Sequence, residues 1–148
     1  MTIRLGLASD LAQLKPLYLA GPHTDSDLRA RDFINANSIV VVNVNSGVIN
    51  ACVVVDKLDR GSEHLILYRL VFGASGAAGL TAIRGLLKEI ATRGAALGYT
   101  AWIAGIPQSS DFATFRAYVE ARWPYIEPYD GSGTRYMGDT LANVQVAA

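Results

Sequence analysis

The chain has 148 residues, a length that fits one domain with its own core over residues 1–148. Apolar residues make up 51% and charged residues 18%, which excludes an intrinsically disordered chain. Thirteen basic and thirteen acidic residues cancel, and the pI is near 6.7. That balance lacks the basic excess of a phosphate-tracking protein, so no nucleic-acid partner is expected. Low charge without net charge predicts a homo-oligomer or docking into a larger assembly. The single Cys52 excludes an internal disulfide and a multi-cysteine zinc site, and no metal is expected. Asp10 and Lys15 interrupt the stretch that a signal peptide keeps apolar. The aliphatic runs fall far short of the roughly 20 residues of a membrane helix. A soluble cytoplasmic protein with no membrane partner is the expectation.

Residues 2–7 alternate Ile3, Leu5 and Leu7 with Thr2, Arg4 and Gly6, a period-two strand. Ser9 is placed to cap a helix carrying Leu11, Leu14, Leu17 and Tyr18, which Gly21-Pro22 ends. A polar loop over 22–27 and a short helix over 28–35 follow. Ser38–Val44 and Val48–Val55 read as a hairpin around Asn45-Ser46-Gly47. After a turn at 59–62, His64–Phe72 is a strand apolar on both faces, as in a doubly covered sheet. Leu80, Ile83, Leu86, Leu87, Ile90 and Leu97 mark a long amphipathic helix stopped by Gly98. Tyr99–Gly105 is a strand. Asp111–Trp123 is a helix with Phe112, Phe115, Val119 and Trp123 buried. Pro124–Pro128 and Thr134–Leu141 read as a last strand pair, and 143–148 as a loose tail. The order β-α-(α)-β-β-β-α-β-α-β-β implies an α/β (α+β) fold: a mixed, mostly antiparallel sheet with helices on both faces.

Between strand and helix lies Val71-Phe72-Gly73-Ala74-Ser75-Gly76-Ala77-Ala78-Gly79-Leu80. Free N–H groups at the start of a helix, flanked by small residues, can cradle a pyrophosphate. It is neither a P-loop nor a Rossmann fingerprint, since both residue patterns are absent. The competing reading is that Gly and Ala only permit close strand–helix packing.

Element order and three local motifs together resemble the GNAT superfamily of acyl-CoA N-acyltransferases over nearly the whole chain. Ile3-Arg4…Ser9-Asp10-Leu11…Leu14 is similar to the family's first strand and helix. Val71–Leu80 is similar to its acyl-CoA loop, and Asp111…Thr114…Tyr118…Trp123 to its last helix. The resemblance implies acetyl-CoA as co-substrate and a small-molecule or protein amine as acceptor. It implies cofactor contacts from Leu70, Val71, Phe72, Gly76, Ala77, Ala78 and Gly79. The family loop reads Gln/Arg-x-x-Gly-x-Gly/Ala, and two registers compete here. One sets Gly76 and Ala78 at the small positions with Gly73 in place of Gln/Arg; the other uses Gly79 and Thr81 with Gly76 in that place. Neither supplies the long polar side chain. In the last helix the family's tyrosine survives as Tyr118, while Asp111 and Thr114 replace its Asn and Ala.

A family tyrosine at this place protonates the departing thiolate, so Tyr118 is the catalytic candidate. A 3.6-residue wheel sets it on the flank of the apolar stripe, beside Arg122, with its hydroxyl free to enter a cleft. The bland alternative is a tyrosine covering a seam. The strand before the loop has no carboxylate to serve as base. His64 and Glu63 stand at its start, Arg69 is its interior charge, and His23 lies on the loop after the first helix. Two functions therefore stand side by side. One is acetyl transfer to a primary amine. The other is a catalytically degenerate binding or structural module, of the kind found in bacteriophages and virions.

Overall fold

A computed structural model describes residues 1–74, 76–123 and 134–147. Six strands form one sheet in chain order: β1 (Thr2–Leu5), β2 (Ser38–Asn45), β3 (Val48–Arg60), β4 (Glu63–Gly73), β5 (Ala101–Pro107) and β6 (Thr134–Thr140). All neighbours are antiparallel except β4 and β5. The helices are α1 (Leu11–Leu19), α2 (Gly76–Ala96), α3 (Ala113–Glu120) and α4 (Leu141–Ala147). This is the mixed, mostly antiparallel α+β architecture that the element order predicts.

The hairpin forms where expected, but Asn45 stays in β2 and positive φ falls on Ser46 (φ 51°) and Gly47 (φ 79°), as a two-residue β2–β3 turn of matching twist requires. The β-branched runs of β2 and β3 are buried on both faces. Val41, Val53 and Val55 pack with Ile66 under Leu86 and Ile90 of α2. Val40, Val42, Val54 and Leu70 pack on the other face under Leu14 and Tyr18 of α1. Burying side chains such as Leu86 and Ile90 stabilises by about 1.5–3 kcal/mol each.

Several boundaries differ from the sequence reading. Ser9 caps nothing; the chain makes a 3-10 turn over Ala8–Asp10 first. Asp10 instead accepts the Leu7 N–H at 2.8 Å and pairs with Arg4 at 2.7 Å. The expected helix over 28–35 is a 3-10 turn at Ala30–Phe33. Leu97 lies past the end of α2 and is exposed. The tail expected to be loose is helix α4, because Leu141 and Val144 supply one apolar face that buries in the core. The strand expected at Pro124–Pro128 lies outside the described residues. No helix among the described residues is long and apolar enough to cross a membrane.

Candidate active site

Strand β4 carries the site. Its pairing with β3 runs Val54↔Leu70 and then Val55↔Tyr68, so Arg69 is an extra residue that bulges. Its parallel pairing with β5 extends only from Leu65↔Ala101 to Tyr68↔Ala104, although β5 continues to Pro107. The two strands diverge past the bulge, and the edge of β4 from 69 to 73 opens.

The direction of the freed backbone groups follows from the ladder. Ala74 N–H donates to Asn50 on the β3 side at 2.8 Å. In an antiparallel ladder alternate residues face alternate sides. Val71 and Gly73 therefore turn their N–H and C=O away from β3 and into the opening. The Val71 carbonyl confirms the direction: it lies 3.2 Å from His23 Nε2.

The opening is walled by two adjoining clefts. The outer one, of about 430 Å³, is lined by Leu17, His23, Asn50, Val71, Gly73, Ala74 and Phe112 among others. It runs along the β4 edge to Ala74. A small inner one, of about 40 Å³, lies between Tyr68, Val71, Ile106, Phe112 and Phe115. Leu70 and Phe72 do not share one role with Val71. Leu70 is fully buried under α1, and Phe72 packs there while also edging the outer cleft.

The glycine loop resolves residue by residue. Gly73 and Gly79 serve close packing: a Cβ on Gly73 would stand 3.1 Å from the Gly79 carbonyl oxygen, and a Cβ on Gly79 would fall on the Ala74 carbonyl. Gly76 has φ 76° and open space around it, and Gly76, Ala77 and Ala78 are exposed. Their N–H groups belong to the first turn of α2, where no intrahelical acceptor exists. Close packing thus accounts for Gly73 and Gly79, while the Gly76–Ala78 turn faces solvent.

Arg69 holds the segment that carries Asp27 and Asp32 against the sheet. Its guanidinium donates to the Asp27 carbonyl at 2.8 Å and to Asp32 at 2.7 Å, and pairs with Asp56 at 3.1 Å. Asp32, only 4% exposed, also accepts the Arg29 N–H at 2.8 Å. Asp27 accepts the Thr24 N–H, so the segment bearing His23 is tied at several points. The His23 ring sits edge-on to Phe112, 5.8 Å between centroids. Its side chain is 10% exposed, and that burial pushes its pKa below the usual 6.5.

The other candidates fall elsewhere. His64 pairs with Asp59 at 2.8 Å on the surface, seven residues up β4 from Val71, about 23 Å away along an extended strand. Tyr118 is not on a flank. It is 7% exposed, stacks edge-on to Trp123, and carries the Arg122 guanidinium 3.9 Å over its ring. Its hydroxyl is buried, makes no hydrogen bond of sound geometry, and lines neither cleft. Burial raises the phenol pKa against the opposing pull of Arg122 and Arg84. The wheel erred because Phe112 and Trp123 lie outside α3, in a 3-10 turn and a following turn. Within the helix, Phe115, Tyr118 and Val119 share one face by their i, i+3, i+4 spacing. Tyr68, whose pKa is raised by burial and by the neighbouring Tyr118, stands at the inner cleft. Sequence reasoning missed it because it reads as one more apolar strand residue. No cluster of metal-ligating side chains occurs among the described residues.

No family model and no curated protein matches the sequence. Solved structures do match by shape. An aminoglycoside 6'-acetyltransferase type Ii superposes with TM-score 0.76 at 15% identity, over 95% of this chain and 97% of that one. An acetyltransferase of the GNAT family from Staphylococcus aureus Mu50 gives 0.75 at 14%, over 95% and 98%. An aminoglycoside 6'-N-acetyltransferase complexed with coenzyme A gives 0.72 at 14%, over 95% and 97%. At such identities the likeness establishes the fold: this chain has the GNAT acyl-CoA N-acyltransferase fold.

Proposed function

We propose that the protein is an acetyl-CoA-dependent N-acetyltransferase that acts on a primary amine. The observation that carries this is the open edge of β4, which offers Val71 and Gly73 backbone groups to a cleft running along that edge to Ala74. An extended chain bearing amides fits such an edge, because it can take the hydrogen bonds that β5 leaves unmade. A pyrophosphate fits the exposed Gly76–Ala78 turn, where backbone N–H groups and the helix dipole favour an anion. The cleft volume lies within the range of ordinary small-molecule sites.

When bound, acetyl-CoA supplies a thioester open to attack by nitrogen. The chain's part is positional and electrostatic. Val71 N–H, aimed into the opening, holds the thioester carbonyl as it gains negative charge. Ala77 and Ala78 contribute N–H groups at the pyrophosphate, whereas Gly79 brings the helix against the strand. Leu70 and Phe72 fix the strand by burial in the α1 core. The Tyr118 hydroxyl, buried away from both clefts, does not reach a ligand there, so in this proposal the departing thiolate takes its proton from solvent. The acceptor enters past the 21–35 segment that Arg69 clamps. A homo-oligomeric, cytoplasmic enzyme remains part of this proposal. Nothing in the matches named above points to a phage or virion protein.

The test is direct. Acetyl-CoA or coenzyme A at 100 times its dissociation constant should stabilise the fold by about 2.7 kcal/mol in thermal-shift titration. Transfer to a panel of primary amines should then release free thiol. Absence of both effects at millimolar cofactor would overturn the proposal.

A further inference from the structure

We propose that His23 is a removable plug on the open β4 edge, held by the hydrogen bond that a bound ligand takes over. This rests on the acetyltransferase reading and adds a closed state to its site. Val71 turns its N–H and C=O into the opening, but the carbonyl is already engaged: it lies 3.2 Å from His23 Nε2. A carbonyl oxygen only accepts, so Nε2 carries the N–H and donates it. The imidazole thus stands where an amide of an extended ligand would donate on adding to this edge. The ring also fills the junction of the two clefts, because His23, Val71 and Phe112 line both. Its neighbours are the rings of Phe112, edge-on at 5.8 Å, and Phe72 at 6.3 Å. A chain passing from the outer to the inner cleft along β4 has to turn that ring aside.

The ring can leave without its backbone. The segment is tied where it follows His23: the Thr24 N–H donates to Asp27, and Arg69 holds the Asp27 carbonyl at 2.8 Å and Asp32 at 2.7 Å. Rotation of the His23 side chain is therefore the motion left. A second acceptor stands beside the ring. The Asp27 carboxylate is 3.6 Å from Nδ1, beyond hydrogen-bond reach in the closed state. Burial holds the His23 pKa below the usual 6.5, so near neutral pH the imidazole is uncharged and has one N–H. That N–H serves Val71 or Asp27, not both. Closed, it sits on Nε2 and caps Val71. Open, it turns to Asp27, and the Val71 carbonyl passes to the ligand. Each partner exchanges one hydrogen bond for another, so displacement costs little beyond the ring's own packing.

The chain has two histidines, and His64→Gln leaves His23 as the sole imidazole. In that background the ligand-free protein should show an imidazole N–H NMR signal protected from exchange. Saturating coenzyme A should abolish the protection. His23→Ala, which removes the plug, should bind coenzyme A about 3–10-fold more tightly in calorimetry, the worth of one neutral hydrogen bond. A protected signal that survives saturation, or an affinity of His23→Ala equal to or weaker than wild type, would overturn the plug and leave the acetyltransferase reading intact. Binding by His23→Ala and not by wild type would support both. No binding by either protein at millimolar coenzyme A would overturn both. If His23→Ala does not fold, the NMR measurement decides alone.

Discussion

Gly79 and Gly85 lie on the same helix, and alanine at each should give opposite results. A glycine in a helix costs up to about 1 kcal/mol relative to alanine, so both substitutions begin with the same gain. At Gly85 the new methyl meets only the Ile3 Cδ1 tip at 3.0 Å, and a flexible side chain can turn aside. At Gly79 the methyl falls on the Ala74 carbonyl and lies 2.5 Å from its carbon. Backbone cannot turn aside, and the Ala74 N–H is pinned to Asn50 at 2.8 Å. Overpacking of this kind costs about 1–3 kcal/mol, and here the upper part of that range applies. Gly79→Ala should therefore be about 1–2 kcal/mol less stable than wild type and about 2–3 kcal/mol less stable than Gly85→Ala. For a chain of this length that separates the two melting points by about 4–12 °C. Urea unfolding gives the free energies. Because Gly73 and Ala74 wall the cleft, coenzyme A affinity should also fall about tenfold in Gly79→Ala and stay unchanged in Gly85→Ala. Equal stability and equal affinity in the two variants would refute the close approach of α2 to the β4 end.

Arg69→Met should destabilise by about 2–3 kcal/mol in urea unfolding. That is below the 3–5 kcal/mol of a fully buried pair because Arg69 is 28% exposed, yet Asp32 is left without its cation. A double-mutant cycle with Asp32→Asn should show strong coupling. Tyr118→Phe should leave turnover within a few-fold, because the hydroxyl lines neither cleft, and be neutral to stabilising in a thermal melt, since the buried hydroxyl it removes has no good partner. Asp10 has a lowered folded pKa, first through its hydrogen bond from Arg4. A depressed carboxylate pKa stabilises above the unfolded value and loses that contribution as pH falls through the folded one. The stability gap between wild type and Asp10→Asn should thus be constant above about pH 5 and close as acid is added, in urea melts run across pH.

The sheet was legible because its signals are local. A short Asn-Ser-Gly stretch between two apolar runs marks a hairpin, and the β-branched runs of β2 and β3 read as doubly buried from composition alone. The GNAT-like order followed from those elements. The site was legible only where backbone carries it. Val71 and the Gly76–Ala78 turn could be placed because a strand end and a helix start are positions along a chain. Arg69 could not: its three carboxylate and carbonyl partners come from positions 27, 32 and 56, and no local pattern joins them. Tyr118 misled because the stripe was drawn through Phe112 and Trp123, where the chain is not α-helical. His23 and Val71 are 48 positions apart, and only the turn at Gly21-Pro22 and the Arg69 clamp bring them into contact.

The divergence of β4 from β5 also divides the molecule mechanically. β2 to β4 form a meander of hairpins whose partners are close in sequence, which favours early and independent closure. β5, α3, β6 and α4 join that meander through the short stretch from Leu65↔Ala101 to Tyr68↔Ala104, the packing of α4 on α2, and the aromatic contacts of Tyr68 and Trp102. Amides of β5 and β6 should therefore exchange with solvent through smaller openings than those of β2 and β3. A ligand laid along the gap would bridge the two parts, and its protection would be greatest on the far side of the gap from the strand it touches first.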